Sequence, residues 1–408
     1  SKMRFLNFPI FYSPYLVTPS PLRKKRKSGF LNTSFDLIFW DTKVSQSTSF
    51  PYYFNISEDK ELTFTPTINY GGGVDSSQRF NFDYNQILSG GNLKTDLTFD
   101  TTVEQKNNEK WLKEGSIVNN YNQNLNEKFK INISSSLQTS KNYIQKIKPN
   151  NELSYTSSLS TKIDLYGYNL YKINDNLRLN ITNYQSSQNK EDNKTLPTVL
   201  PFITFNFGTE YFNDHQYNHS LEFYNIFRGK PTDIHAKTQR KISSTFTVSR
   251  NFINYGTEIT YGTNIFNQFF MTDNKNIDNK QVDGTYFRSF PIFGINAETP
   301  FKFKNNKLIY TPKLGLVVAP GLSNSDKLSN EDSSINTYAI DTNSNYNRFS
   351  GTDKLDNSKR LDYSFSMAND IFNSTLWQSY EFTNNSNFHY SQGNEKKLSD
   401  VLGNANFT

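Results

Sequence analysis

Apolar and polar residues alternate with a period of two along almost the whole chain. In LTFTPTINY, Leu62, Phe64, Pro66, Ile68 and Tyr70 alternate with Thr63, Thr65, Thr67 and Asn69. In NLKTDLTFD, Leu93, Leu97 and Phe99 alternate with Lys94, Asp96, Thr98 and Asp100. Phe129, Ile131 and Ile133 alternate with Lys128, Lys130 and Asn132, and Leu177, Leu179 and Ile181 with Arg178, Asn180 and Thr182. Near the C-terminal end, Leu361, Tyr363, Phe365 and Met367 alternate with Arg360, Asp362, Ser364 and Ser366. A strand sends successive side chains to opposite faces, so each of these segments predicts a strand with one apolar and one polar face.

Two architectures carry that pattern. A soluble antiparallel sandwich buries the apolar face, whereas a transmembrane barrel turns it to lipid and lines a wet lumen with the polar face. The connections separate them. Short polar turns are expected at Ser57–Lys60, Ser89–Gly91, Leu125–Glu127, Asn174–Asn176 and Lys304–Asn306. Longer polar loops are expected at Gly71–Ser77, Thr102–Lys110, Thr139–Asn150, Gln185–Lys194, Met271–Val282 and Gly321–Asn357. Counted strand by strand, the short turns fall at one end and the long loops at the other, as in outer-membrane barrels. The predicted fold is therefore an all-β, antiparallel, outer-membrane β-barrel of roughly eighteen strands.

Composition agrees with β structure. The 408 residues include 35 Phe and 25 Tyr, while hydrophobic residues total only 35% and mean hydropathy is −0.71. So many aromatics exclude a disordered chain, and abundant Phe, Tyr, Thr and Ile with few Ala favours strands. With no cysteine, disulfides and thiolate metal sites are excluded within these residues. A net charge of +6 is small for the length and argues only weakly for anionic partners. No apolar run is long enough for a transmembrane helix. The opening SKMRFLNF has no apolar core of a signal peptide, so a mature protein or an internal piece is expected.

Candidate chemistry is sparse. His215, His219, His235 and His389 are scattered, and the even spacing of the first two only places them on one strand face. No nucleophile elbow, HExxH or P-loop occurs, and Gly71–Gly73 opens no helix. No catalytic residue, metal or cofactor is expected. The segment Asn330–Asn357 is acidic and oxygen-rich, but it lacks the register and bounding Glu of an EF-hand. A polar loop folding over or into a lumen is expected instead, with Asn330, Glu331, Asp332, Arg348 and Asp353 as its luminal or loop polar residues.

The motifs together resemble those of the LptD family of lipopolysaccharide-assembly proteins (organic solvent tolerance proteins). FPIFYSPYLVTPSPLRKKRKSGFL (Phe8–Leu31) is similar to the segment where the family's periplasmic jelly roll enters the barrel. FPYYFNI (Phe50–Ile56) and LTFTP (Leu62–Pro66) resemble the next strands, and TLPTVLPFITFNF (Thr195–Phe207) a mid-barrel strand. VVAPGLSNSDKLSNEDS (Val317–Ser333), NRFSGTDKLDNSKRLDYSF (Asn347–Phe365) and WQSYEF (Trp377–Phe382) resemble a later strand–loop–strand unit, in family order. The resemblance implies residues 1–27 as the end of the jelly roll and a hinge, and 28–408 as the barrel. It implies lipopolysaccharide as substrate, an LptE-like lipoprotein plug and an LptA-like periplasmic bridge acting through the jelly roll. Lipopolysaccharide would be inserted into the outer leaflet of a Gram-negative outer membrane through the lumen and a lateral seam.

The seam would lie in the first strands, at Gly29, Phe30, Leu31, Phe35, Pro51, Tyr52 and Tyr53. Family members often carry a seam-weakening proline in the first strand; here that position is Asn32 or Thr33, and Pro51 in the second strand fits the pattern. The basic run Arg23, Lys24, Lys25, Arg26 and Lys27 could by itself be a nucleic-acid patch, but beside an outer-membrane barrel no nucleic acid is expected, and it reads either as a head-group contact or as a solvated hinge. The family's paired cysteines are absent, the strand count stops short of the family's roughly 26, and LGNANFT does not read as a closing strand. Competing readings are a porin or nutrient transporter and an outer-membrane hydrolase with a serine beside one of the histidines.

Overall fold

A computed structural model describes residues 2–5, 8–12, 26–40, 43–70, 77–104, 110–148, 151–187, 192–278, 280–303, 308–322, 324–336, 339–383 and 397–407. Among them are twenty-one sheet segments besides two short hairpins, and the pairings within each unit are antiparallel. Three pairs of segments are each one strand broken for two or three residues: Gly29–Phe30 with Ser34–Trp40, Lys43–Ser49 with Tyr52–Ser57, and Lys280–Glu298 with Phe301–Lys302. That leaves eighteen strands. A separate hairpin, Lys2–Phe5 with Phe8–Tyr12, precedes them.

The chain divides into two units, residues 1–165 with 182–193 and residues 166–181 with 194–408. Both show the same inversion of burial. In the first, Thr98 and Asp100 of the strand Gly91–Glu104 are buried, while Leu97 and Phe99 between them stand out at 43% and 40% exposure. In the second, Gln239, Lys241 and Ser243 of Thr238–Asn254 are buried while Ile242 is 55% exposed. In water a sheet covers its apolar face; an apolar face outside and a polar face covered is the arrangement that lipid selects. Strands such as Thr257–Ile277, with 21 residues, exceed the roughly 9–11 needed to cross a bilayer.

Short and long connections alternate through much of the chain, but the strand Thr257–Ile277 has a two-residue link at each end, unlike the sequence expectation. Met271–Val282 is not a loop: the strands Thr257–Ile277 and Lys280–Glu298 pair through most of it. The polar residues there alternate faces in a ladder, which composition alone cannot distinguish from a loop. Leu402–Phe407, lacking any alternation, is nevertheless a strand because Phe372–Glu381 offers it an open edge. Residues 71–76, most of one expected loop, and 304–307, covering one expected turn, lie outside the described residues, as does His389.

The ladder between the first two strands is interrupted at Pro51. Leu31 N–H donates to the Pro51 carbonyl at 2.9 Å. Residues facing in this way normally exchange two bonds, but proline has no N–H with which to return the second. Above and below the break, Gly29 and Phe30 pair with Tyr53 and Tyr52, and Ser34–Trp40 with Lys43–Ser49. Replacing Pro51 with threonine supplies the missing donor. It is expected to stabilise the pairing by about 1 kcal/mol and to raise hydrogen-exchange protection at Leu31; unchanged protection there would show the break to have another cause.

Candidate functional site

Two features stand out, the interrupted ladder and a long loop packed on the polar face of the second unit. Around the first, Phe30 (70% exposed) meets Tyr52 edge to face, with ring centroids 4.9 Å apart. Leu31 and Phe35 are also exposed. Tyr53 donates its hydroxyl to Glu61 at 2.9 Å. Arg26 forms an exposed ion pair with the same Glu61 at 2.6 Å, and its carbonyl accepts from Asn55 Nδ2. Lys27 is exposed, and Arg23, Lys24 and Lys25 lie outside the described residues.

The loop between Ile309–Val318 and Lys359–Ala368 folds back onto the sheet. Its apolar side is short: Leu355 joins Phe266, Phe290, Ile292, Val317 and Ala319, with Tyr346 against them. Gly294 makes room for Tyr346, since a Cβ there would fall 2.1 Å from the ring. Gly351, at φ +72°, turns the chain into Thr352 and Asp353.

The remaining contacts are ionic and polar. Lys241, fully buried, holds Asp353 at 2.8 Å, Asp332 at 3.0 Å and Glu222 at 2.8 Å. Asp353 also accepts from the Tyr224 hydroxyl and from the backbone N–H groups of Glu331 and Asp332. Burial pushes its carboxyl up to about 6, against the pull of Lys241 and helped by Asp332. Burial would raise Asp332 too, but Lys241, the Ser333 hydroxyl and the Asp353 N–H hold it below the usual range. Arg228 grips Glu331 with two bonds, at 3.0 and 2.6 Å. Arg288 donates to the carbonyls of Thr352 and Asp353 and to Gln268. Lys275 donates to the carbonyls of Asp326 and Leu328.

A second cluster holds the C-terminal end of the loop. Arg348 binds Asp356 at 2.6 Å and Glu381 at 3.1 Å, and Arg360 binds Asp362 at 3.0 Å and Asp356 at 3.4 Å. Of the five loop residues singled out from sequence, Glu331, Asp332 and Asp353 thus share the first cluster and Arg348 sits in the second. Asn330 caps its own turn, exchanging bonds with Ser333. Sequence reasoning missed Tyr224, Arg228, Lys241, Arg288, Asp356, Arg360 and Glu381. The signal for Lys241 was its parity with Gln239 and Ser243 on a polar face, but nothing local reveals that a loop covers that face.

His215 and His219 share a face, as their spacing requires, and it is the apolar one that also carries Leu221, whereas His235 lies in a connection 3.7 Å from Glu331. His219 lies 2.9 Å from the Ser244 hydroxyl and stacks on Phe207; His215 bonds Tyr261. The contacts of the His219 ring are thus a serine and aromatic rings, with no carboxylate among them to complete a hydrolase triad. Among the described residues no group of three His, Cys, Asp or Glu is placed to hold a metal ion.

A family model described as LptD, LPS transport system D, matches residues 114–408. The LPS-assembly protein LptD of Shewanella sp. strain MR-4 is 36% identical over 105 residues, covering 22% of this chain and 13% of that protein. That of Ralstonia nicotianae strain GMI1000 is 32% identical over 101 residues, covering 24% and 12%. Of the solved structures, Pseudomonas aeruginosa OccK2 in complex with glucuronate is similar with TM-score 0.32 and 7% identity, covering 93% of this chain and 96% of that one.

The buried cation is the part of the loop cluster most exposed to test. Lys241→Met would leave Asp353 buried without its counter-ion, at a cost of about 3–5 kcal/mol to loop docking. Limited proteolysis is expected to cut between Ala319 and Ser358 in the variant and to spare the strands. A loop as resistant as the native one would show that the lysine does not hold it.

Proposed function

The chain belongs to the LptD family, and from that premise we propose that it works in lipopolysaccharide transport and assembly at the outer membrane of a Gram-negative bacterium. Its role is non-enzymatic: lipopolysaccharide passes along the polar face, which serves as a lumen wall, and leaves sideways into the outer leaflet. The observation that carries this reading is the inverted burial of the strands, apolar outward and polar inward in each unit. A covered polar face accepts a hydrated sugar head, while an exposed apolar face is at home among acyl chains. A porin uses the same inversion, but membership of a transport-and-assembly family favours the lipid.

In this reading residues 1–27 end a periplasmic jelly roll, through which an LptA-like bridge delivers the lipid, and 28–408 form the barrel, with an LptE-like lipoprotein in its lumen. The first strands, with Gly29 and Phe30 facing Tyr53 and Tyr52, Leu31 facing Pro51, and Phe35 farther along beside Thr48, form one side of the exit seam. The basic run ending at Arg26 and Lys27 is the hinge beside the membrane surface, where cations attract anionic head groups. The single hydrogen bond at Leu31 and Pro51 supports a seam built to open, because opening must break ladder bonds and one is already missing.

Insertion of lipopolysaccharide by the full-length protein in proteoliposomes tests the reading. Pro51→Thr is expected to slow insertion about fivefold, the rate equivalent of one added hydrogen bond of ~1 kcal/mol. An unchanged rate would remove Pro51 from the mechanism. Solute-selective conductance without any lipid insertion would replace the whole reading with the porin.

A further inference from the structure

The two charge clusters beneath the loop differ in how their signs are distributed. In the cluster around Arg348 they are mixed: loop Arg348 pairs with Asp356 of its own segment and with Glu381 of a strand. In the cluster around Lys241 they are segregated. Every cation that bonds across it belongs to the wall, with Lys241, Lys275 and Arg288 on three adjacent strands and Arg228 just beyond a fourth, while the loop's own Lys354 is exposed. Apart from Glu222, the carboxylates that these cations bind are on the loop, those of Glu331, Asp332 and Asp353; the loop carbonyls of Asp326, Leu328, Thr352 and Asp353 accept further bonds, alongside Gln268 and the Ala236 carbonyl on the wall side. A clamp that only fastens a loop has no need of such sorting, as the mixed cluster shows.

The wall is also built to keep its cations in place without neutralising them. Lys241 and Arg288 lie over the Phe270 ring, at 5.9 and 5.2 Å from its centroid, and Lys241 lies 5.1 Å from that of Tyr224. Arg228 presents the two-pronged fork that suits carboxylate and phosphate alike. With the loop lifted away, four positive groups would face a single wall carboxylate, Glu222.

We propose that Arg228, Lys241, Lys275 and Arg288 form a binding site for the phosphate-bearing head of a glycolipid, and that the loop occupies it by mimicry, its carboxylates and carbonyls standing where phosphate oxygens bind. An arriving polyanion competes for the wall and frees the loop, so that the path opens only when cargo is there to replace the internal ligand. The glycolipid as source of the phosphate rests on the function proposed above; the anion site itself does not.

Because these 408 residues hold no cysteine, Lys354→Cys in the exposed part of the loop, with any cysteine outside them replaced by serine, accepts a single spin label. Labelled full-length protein in detergent micelles is titrated with inorganic pyrophosphate, with a diphosphorylated glycolipid in mixed micelles, and with sodium chloride at matched ionic strength. Both phosphate compounds are expected to mobilise the label, the glycolipid at about tenfold lower phosphate concentration, and the chloride to leave it fixed. A label that stays fixed under both phosphates overturns the site, and one that responds to pyrophosphate alone overturns the glycolipid as its occupant. As a second measurement, Asp332→Asn with Asp353→Asn should bind pyrophosphate about tenfold more tightly than the parent, and adding Lys241→Gln should abolish the gain. Absence of that gain in a variant of native heat-modifiable mobility also overturns the proposal. Neither readout requires transport, so failure here and failure of the insertion assay are separate results.

Discussion

Pairing in a β-ladder leaves side chains one choice, made once per strand: which face meets lipid and which is enclosed. In this protein the choice is inverted relative to a soluble sheet, and everything else follows from it. Leu97, Phe99, Ile242 and Phe293 face outward, so Asp100, Lys241, Gln268 and Arg360 must face inward, where dehydration makes unpaired charge costly. The enclosed face therefore demands partners, and the chain supplies them from its own longest described connection. That loop is held by a small apolar contact and a large number of charged ones, the reverse of the balance in a water-soluble core.

The charged contacts are what give the loop a specific seat. Buried ion pairs seldom add much net stability, because desolvation offsets most of the attraction, but removing one partner is expensive. Register is thus enforced by penalty: Asp353 has to reach Lys241, Tyr224 and two backbone N–H groups together, or remain buried and unmatched. Gly351 and Gly294 serve this fit, the one by turning the chain through positive φ and the other by leaving room for Tyr346. A seat defined by replaceable charges can be vacated by a competing charge, which an apolar seat cannot.

At the other end of the chain the physics is subtractive. The first two strands pair normally on either side of Pro51 and lose one donor between. A missing bond lowers the cost of parting two strands in lipid; Pro66, Pro291 and Pro312 each remove a donor as well, but Pro51 does so where both paired strands are interrupted. The charged wall and the interrupted ladder lie in different units of the chain.

Much of this was legible in the residues alone. Period-two alternation identified strands and their faces, because parity is local and survives any tertiary arrangement; the alternation of turns and loops pointed to the barrel for the same reason. The acidity of Asn330–Asp353 and the proline at 51 were visible as composition. Where alternation failed, so did the reading: polar residues of 271–282 suggested a loop although they continue two long strands, and Leu402–Phe407 carried no pattern although it pairs. The partners of the loop were out of reach. Lys241 meets Asp332 and Asp353 across 91 and 112 residues, and Arg228 meets Glu331 across 103. The residues by themselves determined which side chains share a face. Only the folded chain decided which charges meet across it, because Coulomb pairing depends on distance in space, and a period of two contains no information about that.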